Sequence, residues 1–83
     1  MTRIRRAAQL IEDLKTLGVI KEDTKVYYRF NEGYPGKKYI MIDISREEDY
    51  GIPYSLLKDA FEEEFKEDIK ILEQNWLFTV DFL

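Results

Sequence analysis

The sequence predicts an α+β domain: a two-layer αββαββ sandwich with two helices on one face of a four-stranded, mostly antiparallel sheet. Three observations predict it. The chain repeats itself: Lys21-Glu22-Asp23-Thr24-Lys25-Val26 returns as Lys66-Glu67-Asp68-Ile69-Lys70-Ile71, and Tyr39-Ile40-Met41-Ile42-Asp43-Ile44 returns as Leu77-Phe78-Thr79-Val80-Asp81-Phe82. Each pair of echoes follows a stretch with apolar residues at helical spacing. The echoes themselves alternate apolar and polar residues, as half-buried strands do.

Residues 3–17 read as the first helix, because Ile4, Ala7/Ala8, Ile11, Leu14 and Leu17 recur at helical spacing. Thr2 suits its N-cap, and Gly18 suits the left-handed position just past its end. Residues 24–30 read as a strand with Val26, Tyr28 and Phe30 on one face. Tyr34-Pro35-Gly36 lies in the break that follows, and Pro35-Gly36 suits the centre of a type II turn. Residues 38–44 read as the next strand, with Ile40, Ile42 and Ile44 inward. Pro53 falls in the first turn of a second helix, where its missing N–H costs nothing. Leu57, Ala60/Phe61 and Phe65 form that helix's stripe. Residues 69–72 read as a short strand, Glu73-Gln74-Asn75 as a turn, and residues 76–82 as the last strand.

The echoes map helix onto helix, first strand onto third and second onto fourth. This element order is similar to a ferredoxin-like βαββαβ arrangement whose first strand has moved to the end of the chain. That resemblance implies strands 38–44 and 76–82 at the centre and the other two at the edges. A meander of consecutive hairpins is the alternative. The expected core is Ile4, Ala8, Ile11, Leu14, Val26, Tyr28, Phe30, Ile40, Ile42, Ile44, Leu57, Phe61, Phe65, Ile69, Ile71, Trp76, Phe78, Val80 and Phe82.

Size and composition bound the rest. Eighty-three residues make one domain, 1–83, with two similar halves at 1–45 and 52–83. The absence of Cys and His removes disulfides, thiolate metal sites and the commonest general base. No cofactor and no metal are expected. Neither a signal-type apolar run nor a membrane-length one is present, so a cytoplasmic protein without a membrane partner is expected. Net charge is −4, split unevenly: +4 over residues 1–42 and −8 over residues 43–83. Such asymmetry points to a charged partner or to self-association.

Two surfaces are candidates for function. With both helices on one face, the other sheet face stays open. Strand parity places Tyr27, Arg29, Tyr39, Met41, Leu72 and Leu77 there, beside Lys25, Asp43, Lys70, Thr79 and Asp81. Tyr, Met and Arg are enriched at protein interfaces, and a face that is merely solvated is mostly polar. The expected partner is another protein, with a homodimer as one form of that reading. Single-stranded nucleic acid is the alternative, held by Lys25, Tyr27, Arg29, Lys37, Lys38 and Tyr39. The negative net charge and the carboxylates of Asp43 and Asp81 oppose it.

The second surface is acidic: Glu47, Glu48 and Asp49 before the second helix, then Asp59, Glu62, Glu63, Glu64 and Glu67, with Asp68 beside them. It reads as a solvated face, or as one that steers a basic partner. In its sharpest form the chain is a small acidic nucleic-acid mimic of the phage-inhibitor type. A regulatory or inhibitory binding module is therefore expected rather than an enzyme. The one catalytic arrangement the repeat offers is Asp43 with Asp81, if the fold brings the two carboxylates together.

Overall fold

The computed structural model describes residues 2–30 and 38–83, and the side chains among them except those of Glu73 and Gln74. The Tyr34-Pro35-Gly36 turn and Lys37 lie outside the described residues. The elements are α1 (Arg3–Thr16), β1 (Val26–Arg29), β2 (Lys38–Asp43), α2 (Gly51–Phe65), β3 (Ile69–Gln74) and β4 (Leu77–Phe82), with a 3-10 turn at Lys66–Asp68. The four strands form one antiparallel sheet in the order β1-β2-β4-β3. This is the α+β sandwich expected, with the strand order that the permuted arrangement requires and a meander does not.

Both ends of α1 are closed by local chemistry. The Thr2 hydroxyl accepts from the Arg5 N–H at 3.3 Å. At the other end Gly18 takes φ +77°, while the Val19 N–H reaches the Leu14 carbonyl at 2.9 Å and the Gly18 N–H the Lys15 carbonyl at 3.0 Å. Those two bonds make a Schellman stop, which satisfies carbonyls the helix leaves free. The stop also turns Val19 and Ile20 back onto the core, where Ile20 is buried.

The register places the echoes at corresponding positions. Val26 lies opposite Ile42, as Ile71 lies opposite Val80, and Tyr27 opposite Met41, as Leu72 opposite Thr79. Met41 pairs with Thr79, its own counterpart. The approximate two-fold axis of the central strand pair therefore passes between these two residues.

The core lies between the sheet and the helices. Ala7, Ile11 and Leu14 of α1 and Leu57, Phe61 and Phe65 of α2 pack on Ile40, Ile42, Phe78, Val80 and Phe82. Aromatic rings lace α2 to β4: Tyr54 meets Phe78 edge-on at 5.4 Å between centroids, Phe61 meets Phe78 at 5.7 Å, and Phe65 meets Phe82 at 5.2 Å. Such geometries add to simple area burial. Arg6 fastens the helices together, with its guanidinium 3.0 Å from the Glu64 carboxylate, 2.8 Å from the Glu64 carbonyl and 4.7 Å from the Phe65 ring centre.

Four core expectations are corrected. Trp76 is 54% exposed, because β3 runs to Gln74 and the hairpin turns at Asn75-Trp76 rather than at 73–75. Asn75 holds the positive φ of 51° that this two-residue loop needs at its first position. Ile4 is exposed in the first turn of α1, before the helix reaches the sheet's centre, and Tyr28 is exposed because β1 is an edge strand. Ala7, not Ala8, is the fully buried alanine of α1.

Candidate functional site: the open face of the sheet

The open face is a grid of three cross-strand rows. The middle row runs Tyr27, Met41, Thr79, Leu72. One flanking row runs Arg29, Tyr39, Asp81, Lys70. The other joins Lys25, Asp43 and Leu77, with the Asp43 N–H donating to the Lys25 carbonyl at 3.0 Å. All six residues expected to contact a partner stand on this face: Tyr27 and Arg29 are exposed, and Tyr39, Met41, Leu72 and Leu77 are half-buried. Lys38 does not join them. It pairs with Phe82 and shares its parity with Ile40 and Ile42, so it belongs to the helix side, where it lines a shallow cleft with Phe30 and Ile4.

The middle row is buried at one point, Thr79. Thr79 is 4% exposed although no helix covers it, and its hydroxyl has no hydrogen-bond partner among the described residues. Met41 and Leu72 flank it directly across the two neighbouring strands. A buried hydroxyl without a partner costs about 1–3 kcal/mol.

Charge sits at the corners. Arg29 and Lys70 lie on the edge strands and Lys25 just before β1, while Asp43 and Asp81 lie toward the ends of the central strands. The two carboxylates do not form a pair. Asp43 lies opposite Leu77 and Asp81 opposite Tyr39, at opposite ends of the central strands. Four residues of strand separate them by about 14 Å. The two-fold relation that made them equivalent also drives them apart.

Asp43 is committed locally. Its Oδ1 accepts from the Ser45 hydroxyl at 2.6 Å and from the Ser45 N–H at 2.9 Å. The Ser45 hydroxyl, then its N–H, hold the Asp43 carboxyl below its ordinary value of 3.8. Asp23 is held low in the same direction, first by its hydrogen bond to Arg46 at 2.9 Å and then by that residue's charge. A carboxyl whose folded pKa is depressed adds stability that is complete above its unfolded value. That stability is lost as pH falls through the folded value. Ser45→Ala is therefore expected to move the Asp43 titration up toward 3.8 and to shift acid unfolding to higher pH. Carbon-detected NMR titration reads the first effect. An unmoved Asp43 curve would remove Ser45 as the cause.

Neither a family model nor a curated protein nor a solved structure matches the chain.

The acidic residues divide by their partners. The Glu47 carboxylate accepts from the Lys21 N–H and the Thr24 hydroxyl, each at 3.2 Å, and so ties the loop after α1 to the loop before α2. Glu64 is engaged by Arg6. Glu48, Asp49, Asp59, Glu62, Glu63 and Glu67 are exposed. Among the described residues no group of three or more His, Cys, Asp or Glu side chains could hold a metal ion, and no helix is long and apolar enough to cross a membrane.

Two features escaped the sequence. The burial of Thr79 follows from its seat between Met41 and Leu72, which needs the strand order. The exposure of Ile52 and Leu56 on α2 was legible in principle, since both fall outside the Pro53-Leu57-Phe61-Phe65 line.

Proposed function

We propose that this chain is a non-catalytic protein-binding module that regulates or inhibits a larger protein through the open face of its sheet. The observation that supports the reading is the buried centre of the middle row: Thr79 is 4% exposed on the face away from α1 and α2, and its hydroxyl has no partner among the described residues. An apolar centre with charge confined to the margin is the anatomy of a protein interface.

The corner charges favour a different protein over a second copy. Stack the face on itself about a central two-fold axis along the strands, and Arg29 meets Lys70. Turn the axis across the strands, and Arg29 meets Lys25. Both arrangements set cation against cation, which interfaces avoid. The nucleic-acid reading loses Lys38 to the helix side and keeps two carboxylates within the face.

The test compares the wild type with Tyr39→Glu and Met41→Glu. Light scattering is expected to give a monomer for all three. Affinity capture from a cytoplasmic extract is expected to yield one stoichiometric protein that both variants lose, with affinity reduced at least about tenfold, or about 1.4 kcal/mol. A dimer that the variants dissolve would replace the proposed partner with a second copy. Capture indifferent to both substitutions would sink the reading.

A further inference from the structure

The outer side of the helical layer carries a second apolar surface that the fold does not need. Leu17 is 76% exposed, Ile52 58% and Leu56 45%. Helical phase brings them together. Ile52, Leu56, Ala60 and Glu64 recur every four residues, so they share one flank of α2. Glu64 grips Arg6, which turns that flank toward α1. On α1, Arg6 and Leu10 lie on one flank by the same rule, and Leu17, the C-cap with helical backbone, continues that phase.

The two helices are antiparallel. Arg6, near the start of α1, meets Glu64, near the end of α2. At the other end, Lys21 donates to the Arg46 carbonyl at 2.7 Å and joins the loop after α1 to the loop before α2. Leu17 therefore stands level with the first turns of α2, across from Ile52 and Leu56. Helical phase thus sets these residues along the seam, or groove, between the helices: half-buried Leu10 and Ala60 beside it, exposed Leu17, Ile52 and Leu56 toward one end and the Arg6–Glu64 pair at the other.

The rim of this groove is acidic. Asp13 of α1 and Asp59 and Glu63 of α2 are all exposed on its outer side. The rim works against the helix that carries it. Glu62, Glu63 and Glu64 crowd the C-terminal turn of α2, the negative end of the helix dipole, where Lys66 at the C-cap and Arg6 on Glu64 stand against three carboxylates. The helix's own stability would place cations there. Exposed apolar residues and the carboxylates along the rim beside them are both relieved by a single kind of ligand.

We infer that the α1–α2 groove docks a basic amphipathic helix of a partner protein, its apolar face on Leu17, Ile52 and Leu56 and its Lys or Arg side chains on the acidic rim. A second copy of this chain does not fit, because its groove would bring carboxylates to carboxylates. This surface lies opposite the open sheet face and is independent of the reading given for that face.

The probe is a synthetic 18-residue amphipathic helix with a leucine face and a lysine face, alongside the same peptide with glutamate for lysine. Nitrogen-15 NMR of the whole chain is expected to show shifts at Leu17, Ile52 and Leu56 with the lysine peptide, none with the glutamate peptide, and none at Tyr27 or Met41. The double variant Ile52→Ser, Leu56→Ser, whose side chains are exposed, is expected to keep the fold and lose at least tenfold in affinity. Glu62→Lys, on the side of α2 away from the groove, is expected to lose less than threefold. Equal affinity for the double variant, or shifts spread over acidic residues wherever they lie, would reduce the interaction to bulk charge and overturn the inference. Self-association through Leu56 would overturn it as well. Loss of the sheet-face partner in Met41→Glu leaves this result untouched.

Discussion

Phe61→Ala is expected to bring the folded state close to collapse at room temperature, with a loss of about 3–5 kcal/mol. Phe61 has no exposed surface and sits at the hub of the aromatic cluster, its ring 5.7 Å from Phe78 and 6.0 Å from Phe65. Removing it leaves a cavity between α2 and β4 that neither a rigid strand nor a short helix can close. Domains of this size hold only about 0.05–0.15 kcal/mol per residue in total. Trp76→Ala is the informative control. Trp76 is larger, and sequence pattern alone placed it in the core, yet it stands at a hairpin tip. Its loss is expected to stay within about 0.5 kcal/mol. Thermal melts followed by circular dichroism separate the two. The Phe61 variant is expected to melt at least about 15 °C below wild type, at roughly 4–8 °C per kcal/mol. Equal melting temperatures for the two variants would contradict the core described here.

The architecture was legible because it is written in periods. Alternation marked the four strands, spacing marked both helices, and the echo fixed which strands are equivalent. The ferredoxin-like element order implied β2 and β4 as the central pair, whereas the register that sets Met41 opposite Thr79 is a finding of the structure. Strand ends were less legible, because alternation says nothing about where a hairpin turns. Trp76 continues the apolar parity of Phe78, Val80 and Phe82, but Asn75 accepts a left-handed backbone more readily than Gln74, and the turn formed there. Ile20 was passed over because it lies in no periodic segment. The Schellman stop at Gly18, a tertiary consequence of one residue, delivers it to the core.

The candidate surfaces divide the same way. Strand parity identified the open face residue by residue, since a period of two leaves no choice of side. Lys38 joins the basic group only by its place in the first hairpin; its parity with Ile40 and Ile42 puts it on the helix side. The acidic surface was read from composition, which cannot distinguish a solvated carboxylate from one that holds two loops together. Glu47 and Glu64 are of the second kind, and their partners Lys21, Thr24 and Arg6 are distant in sequence. The apolar groove between the helices needed both the helical phase and the direction of α1 relative to α2.

Thr79→Val is expected to stabilise the isolated chain while weakening its complex. Valine has the shape of threonine with a methyl group in place of the hydroxyl. At Thr79 that hydroxyl is buried, lacks a partner among the described residues and sits in the middle of a β-strand. Removing a buried polar group that makes no hydrogen bond recovers its desolvation cost, about 1–2 kcal/mol here. Strand preference adds in the same direction, since β-branching is kept and the site is flanked by Met41 and Leu72. Chemical denaturation should show the midpoint rising with an unchanged slope, because the surface exposed on unfolding is the same. A midpoint below that of wild type would show that the hydroxyl already has a hydrogen bond. The binding measurement then runs the opposite way. If a partner's donor or acceptor reaches Thr79 when Met41 and Leu72 are displaced by its side chains, valine leaves that group unpaired, and affinity falls about fivefold to thirtyfold, the equivalent of 1–2 kcal/mol. A face kept for packing alone would gain stability and lose nothing in binding. Opposite signs in the two measurements are the signature of a polar group held in reserve for an interface, at a cost the isolated domain bears.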